Sequence, residues 1–255
     1  MLHEDRRRAG SFGADADRYD RVRPSYPEAM IDHLLAEPAP AVLDVGCGTG
    51  IASSLFAARG CAVLGVEPDE RMAQVARQRG LTVEIGGFED WDAAGRRFDL
   101  LVCGQAWHWI DPHRGSAKAV DCVRPDGRVA IFWNFGTPEP AALEALDAVY
   151  DRLEPELGRA TVLLGHGRDD RLDIAASGLR ATGRFTDPEQ HRWTWTRRYS
   201  TEEWLEHLRS HSDHQTLDPA HREPLLAAVA EATDALGGGF DLVYATSAVI
   251  ARRLA

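Results

Sequence analysis

Gly46, Gly48 and Gly50 stand at alternate positions, and Glu67 follows about 20 residues after the first of them. Bare backbone at the glycines lets the chain turn tightly and lets a ligand lie against main chain. A carboxylate at that offset reaches the two hydroxyls of a ribose and can accept from both, a charge-assisted arrangement. The chemistry open to this set is the holding of a nucleoside-like ligand. A second run, Gly104-Gln105-Ala106-Trp107-His108-Trp109-Ile110-Asp111, contains His108. His108 is the side chain in that run suited to act as a base near pH 7. Set between two tryptophans, it reads more readily as a packed, hydrogen-bonded core histidine.

Such residues need elements to place them. Val42 to Val45 is a short apolar run broken by Asp44, fit for a buried parallel strand. Ile51 to Arg59 reads as a helix, with Gly60 as its stop. Strand, glycine turn, helix is the way a doubly wound fold offers backbone to a ligand, and the helix start suits a ligand carboxylate or phosphate. Ala62 to Glu67 is a second strand, and Pro68-Asp69 opens the next helix, with Asp69 able to cap it and Met72 on its inner side. Leu81 to Ile85 and Phe98 to Cys103 are the third and fourth strands. A helix from Arg114 to Val123, a turn at Arg124-Pro125-Asp126-Gly127 and a fifth strand from Arg128 to Phe135 follow. The alternation predicts an α/β fold, a parallel sheet with helices on both faces and ligands at the carboxyl ends of the strands.

Upstream, 12–27 is polar with aromatic punctuation, and helices are expected over Asp15 to Val22 and Pro27 to Leu35. Tyr19, Arg23 and Tyr26 in this segment could fold over a pocket as a lid, or pack on the domain edge. Beyond Gly136 the composition changes. Pro138 to Leu157 is expected to be helical, and Leu163 to Leu179 to hold a short helix. The alternation of Trp193, Trp195, Arg197 and Tyr199 predicts a strand. Helices over Thr201 to Arg209 and Pro219 to Leu236 precede a last strand from Phe240 to Arg253.

The run VLDVGCGTG, with Ile51 where a dinucleotide fingerprint has its third small residue, closely resembles the first motif of the class I S-adenosylmethionine-dependent methyltransferases. The resemblance is strongest from Val42 to Phe135 and points to the small-molecule branch that includes enzymes acting on trans-aconitate. It implies a Rossmann-like, doubly wound, seven-stranded, mostly parallel sheet with an antiparallel last strand. It also implies a helical cap in the C-terminal half, with the last two strands as an edge hairpin. One domain over 1–255 is expected: lid helices in 1–35, a cofactor-binding core in 36–135, and the cap and final strands in 136–255.

The site residues implied follow the motifs. Asp44, Gly46, Cys47, Gly48 and Gly50 of the first motif, with Glu67, Pro68 and Met72, would hold S-adenosylmethionine. Phe88 and Glu89, in a turn resembling the family's G-x-A-E segment, would meet the adenine. Gln105 and Ala106 would line the pocket near the sulfonium and methyl, and His108 would serve an acceptor that needs a base. Trp107 or Trp109, with Trp133 at the end of the fifth strand, would bound the acceptor side, and Tyr19, Arg23 and Tyr26 would cover it. The implied reaction is in-line methyl transfer to a small molecule, with carboxylate or hydroxyl oxygen favoured. A nicotinamide-dependent oxidoreductase and a non-catalytic binder of the same nucleoside are the rival readings.

Bulk properties narrow the partners. The net charge of −11 gives nothing to attract a polyanion, and no Asn-Pro-Pro-Tyr-type base-flipping motif occurs, so nucleic acid is not expected. No stretch is apolar for long enough to span a bilayer, and the arginine-rich 1–10 lacks a secretory pattern, so a cytoplasmic monomer or homodimer is expected. Cys47, Cys61, Cys103 and Cys122 lack zinc spacing and read as free buried thiols. His207, His211 and His214 are expected to share one helix side at i, i+4 and i+7, a spacing that can bind metal, but no matching cysteine or acid motif supports it, so a solvated face and no metal are expected. Arg197 and Arg198 could hold an anionic substrate or pair with the chain's own acids.

Overall fold

The computed structural model describes residues 16–157 and 170–255. The arginine-rich 1–10, and the parts of the expected lid and of 163–179 that fall in 1–15 and 158–169, lie outside the described residues.

Seven strands form one sheet in the order β3-β2-β1-β4-β5-β7-β6. They are β1 (Ala41–Val45), β2 (Ala62–Glu67), β3 (Thr82–Ile85), β4 (Phe98–Gly104), β5 (Val123–Pro138), β6 (Glu189–Ser200) and β7 (Gly239–Arg252). β1 lies between β2 and β4, parallel to both, and is buried from Val42 onward, which is why its residues read as a continuous apolar run. β7 runs antiparallel to β5 and β6, so six strands point one way and one points back. The direction of strand addition reverses between β1 and β4, and a crevice opens there at the carboxyl ends.

The helices are α1 (Ala16–Val22), α2 (Glu28–Leu34), α3 (Ile51–Ala57), α4 (Glu70–Gln78), α5 (Pro112–Cys122), α6 (Pro140–Leu153), α7 (Arg171–Ala181), α8 (Thr201–Arg209), α9 (Ser212–Thr216) and α10 (Pro219–Ala235). Alternate residues of the strands feed opposite faces. Leu43, Val45, Leu101 and Ile131 pack with Ala119, Cys122 and Leu179 from α5 and α7. Val42, Leu100, Val102 and Phe132 pack with Met30, Ile31, Leu34 and Phe56 from α2 and α3. Each such side chain contributes about 1.5–3 kcal/mol when fully buried. A separate apolar cluster joins α6, α8 and α10 to Tyr199, Phe240 and Tyr244, and forms the cap over one end of β6 and β7.

Several expectations change in detail. α5 begins at Pro112 because Asp111 caps it, accepting from the N–H groups of His113 and Arg114 at 2.9 Å. The Arg124–Gly127 turn is folded into β5: the pairing with β4 slips between Phe98 and Leu100, and Asp126 takes φ +63°. α6 starts at Pro140, since Pro138 still pairs with Leu242. The last two strands are antiparallel neighbours, but α8, α9 and α10 separate them in sequence, so they form no tight hairpin. The three histidines do not share a helix. His207 lies on α8, His211 is the N-cap of α9 and His214 is within α9, with His207 and His214 buried. Of the cysteines, Cys61 is only half-buried.

Candidate functional site

The crevice holds a cavity of about 700 Å³. On one side it is floored by the loop after β1. Gly46, Gly48 and Gly50 have φ of +65°, +57° and +83°, a region that a side chain disfavours. At Gly46 a Cβ would also lie 2.5 Å from the Cβ of Ala106, so the β1 and β4 loops can meet only over bare backbone. Gly48 faces the cavity, with Met72 Cε the nearest atom to a Cβ, at 3.5 Å.

Glu67 closes β2 beneath this loop and is only 7% exposed. Its Oε2 accepts from the Gly48 N–H at 2.9 Å and its Oε1 from the Asp69 N–H at 3.0 Å. Each oxygen keeps a lone pair for a ligand hydroxyl. Burial raises the Glu67 carboxyl to a pKa of about 7, against the pull of those two backbone bonds. Asp44 is likewise raised to about 7 by burial, with the Ser53 hydroxyl opposing. That hydroxyl donates to Asp44 at 2.6 Å and ties β1 to α3.

Glu67, Pro68, Met72, Phe88, Glu89, Gln105, Ala106, His108, Tyr19 and Arg23 all line this cavity, together with Gly46 and Gly48. Phe88 is nearly buried and leans on Trp107, with ring centroids at 6.3 Å. Glu89 Oε1 accepts from the Asp111 N–H at 3.2 Å, linking the β3 turn to the start of α5. Gln105 takes φ +59°, a conformation that costs a non-glycine residue about 1–3 kcal/mol. It is held there by its N–H to the Phe132 carbonyl at 2.9 Å and by its side chain to the Asn134 carbonyl at 3.3 Å.

Asp44, Cys47, Gly50, Tyr26, Trp107 and Trp133 stand outside the lining and support it. Cys47 packs with Ala73, Ala76 and Val83, and Gly50 abuts Leu81 and Ala76. Tyr26 sets its ring edge-on to Phe132, and a Cβ on Gly104 would lie 2.6 Å from its hydroxyl. Trp133 is fully buried, and its indole N–H donates to His108 Nδ1 at 3.1 Å. A neutral His108 therefore carries its proton on Nε2.

Tyr19 and Arg23 bring α1 and the turn after it to the cavity wall. α1 bridges α4 and α8: Asp20 pairs with Arg79, Arg18 with Glu206 at 3.0 Å, and Arg23 Nη2 donates to the Ser210 carbonyl at 2.8 Å. The Arg23 guanidinium stands 4.8 Å over the Tyr19 ring. Arg197 and Arg198, by contrast, lie outside the lining and pair with Glu203 at 3.8 Å and Asp241 at 3.4 Å.

Sequence reasoning missed much of the C-terminal wall. Tyr244, His207, His211 and Asp213 line the same cavity. The histidine spacing was a signal, but it posed a question about metal. Among the described residues no group of three or more His, Cys, Asp or Glu is placed to hold a metal ion. Among them, too, no helix is long and apolar enough to cross a membrane.

Residues 43–131 match the family profile described as a methyltransferase domain. An uncharacterized methyltransferase of Mycobacterium tuberculosis is 37% identical over 126 residues, which is 49% of this chain and 52% of that protein. The chain thus spans about half the length of these curated relatives. A candidate type II methyltransferase from Anaeromyxobacter dehalogenans superposes with a TM-score of 0.64 at 26% identity, covering 91% of this chain and 98% of that one. The phosphoethanolamine N-methyltransferase 2 of Haemonchus contortus, solved with S-adenosylhomocysteine, shares the fold at a TM-score of 0.56 and 14% identity, over 100% of this chain and 60% of that one.

Proposed function

We propose that the chain, whose residues 43–131 match a methyltransferase-domain profile, is a class I methyltransferase that moves a methyl group from S-adenosylmethionine to an oxygen of a small-molecule acceptor. The observation that carries this reading is Glu67, buried beneath the Gly46–Gly50 loop with the Gly48 N–H on one oxygen and the cavity beside it. Gly48 offers bare backbone, Glu67 takes the ribose hydroxyls, Met72 and Phe88 bound the adenine, and Glu89 offers its edge a carboxylate. When bound, the cofactor supplies a methyl already activated by a sulfonium, so the hard chemistry is not the protein's. The chain's task is to exclude water and to align the acceptor.

Gln105 and Ala106 approach from β4, on the side where the acceptor would sit. His108 with its proton on Nε2 presents a donor there, which orients an acceptor oxygen and does not remove a proton from it. Tyr19 and Arg23, which line the cavity, would cover the bound ligand on this side. The acidic chain, net −11, suits a small acceptor better than nucleic acid.

Calorimetric titration with S-adenosylhomocysteine, beside thermal shift with NAD and NADP, tests the reading. Only the ligand that binds the native state raises the midpoint, by RT ln(1 + [L]/Kd) in free energy. Stabilisation by the adenosyl ligand alone is expected. Stabilisation by a nicotinamide cofactor alone would replace this reading with a dehydrogenase.

A further inference from the structure

The methyltransferase reading leaves one group of cavity side chains without a role. His207 on α8, His211 at the N-cap of α9, and Asp213 line the cavity. The Nε2 atoms of His207 and His211 lie 3.1 Å apart. Two imidazoles meet at that distance only by sharing one proton, one ring donating and the other accepting. The pair therefore has room to accept a further proton and has no second one to give across that contact. Burial, then the Arg23 guanidinium on the lid, hold both rings well below the ordinary histidine pKa, so the pair is neutral at pH 7.

An anion stands next to the pair. Asp213 Oδ1 accepts from the His214 backbone N–H at 2.9 Å and meets His214 Nδ1 at 3.1 Å, and His214 Nε2 lies 2.8 Å from the Tyr150 hydroxyl. Burial works to raise the Asp213 pKa, but the His214 hydrogen bond and the His211 ring hold it below the usual carboxylate range. The groups facing the pair are thus Arg23 from the lid, Asp213 and His214 from α9, and Tyr199 and Arg197 from β6. A carboxylate acceptor would meet the Asp213 anion here; Arg23 gives Nη2 to the Ser210 carbonyl and keeps its buried Nε without a protein partner, so discrimination against a carboxylate rests on Asp213. A neutral hydroxyl meets a proton acceptor with a counter-anion beside it.

Building on the methyltransferase reading, we propose that His211, paired with His207 and flanked by Asp213, takes the proton from a hydroxyl of the acceptor, so that this site serves a phenol or enol and not a carboxylate. The O–H bond breaks and its electron pair stays on oxygen, while the proton passes to the histidine pair. The oxygen then bonds to the methyl carbon as the carbon–sulfur bond breaks and that pair leaves on sulfur. Positive charge moves from sulfur to imidazole, and Asp213 balances it.

The test uses the full chain loaded with S-adenosylhomocysteine and titrated with phenol, neutral at pH 7, or with benzoate. The phenol should bind at least about tenfold more tightly. His211→Asn should cost the phenol about tenfold and leave the affinity for S-adenosylhomocysteine unchanged, since asparagine serves well at a helix N-cap. His207→Gln, which keeps a hydrogen-bonding partner for His211, should bind the phenol more tightly than His211→Asn does. Equal or tighter binding of the benzoate, no detectable binding of either compound, or wild-type phenol affinity in His211→Asn overturns the proposal. Failure of S-adenosylhomocysteine to bind the wild-type chain instead overturns the methyltransferase reading itself.

Discussion

Glu67→Gln separates the two things Glu67 does. In the wild-type chain its carboxyl pKa is raised from 4.5 to about 7 by burial, and that of Asp44 from 3.8 to about 7. At these two carboxyls the folded state binds more protons than the unfolded chain between those limits, so their contribution to stability falls as pH rises and levels off above about 7, while the lowered pKa of His207 and His211 acts in the opposite sense. For Glu67 alone the loss between about pH 5 and pH 7 is roughly 2 kcal/mol, from 1.36 kcal/mol per pKa unit. Asp44 adds a loss of similar size. The glutamine variant removes the Glu67 share, so the wild-type-minus-variant difference in stability should fall by about 2 kcal/mol across that window. Glutamine can accept from only one of the Gly48 and Asp69 N–H groups, which leaves a buried donor unpaired at about 1–3 kcal/mol. That penalty does not depend on pH. Chemical denaturation at several pH values between about 5 and 8 reads both effects. Charge-assisted bonds to the ligand hydroxyls are lost as well, so S-adenosylhomocysteine should bind about 1.5–3 kcal/mol more weakly. A wild-type-minus-variant difference in stability that does not fall from pH 5 to 7, or a variant that keeps full affinity, refutes the role given to this buried carboxylate.

Gly48→Val places a branched side chain at φ +57° against the cavity and should abolish binding of S-adenosylhomocysteine, as read by calorimetry. Trp133→Phe deletes the donor to His108 Nδ1 and should shift the His108 ring toward a tautomer mixture, visible in its nitrogen NMR shifts. An unchanged His108 spectrum would refute the assignment of its proton to Nε2. Asp111→Ala removes the cap of α5 and should cost about 1 kcal/mol of stability in denaturant titration, with little effect on the Glu67 side of the cavity.

The cofactor half of the site was legible because local chemistry writes it. Positive φ at Gly46 and Gly48 demands glycine within a few residues of the strand, and the acid at the end of β2 must lie one strand–helix unit downstream. Periodicity and chain order then determined the strand–helix alternation, as they must when every parallel strand is followed by a crossover. The supporting cast was less legible. Cys47, Gly50 and Trp107 sit inside the motifs, yet packing turns them from the cavity.

The acceptor half was decided only by the tertiary structure. His207 and His211 lie far along the chain from Gly46 and on separate helices. Their spacing says nothing about facing a cavity, because what turns them toward it is the packing of α8 against α1 and the tie from Arg23 to the Ser210 carbonyl between α8 and α9. The tautomer of His108 likewise depends on Trp133, from a neighbouring strand. Local sequence determines which backbone a residue can adopt. Which distant side chain shares its proton is settled only when the sheet closes and the elements meet.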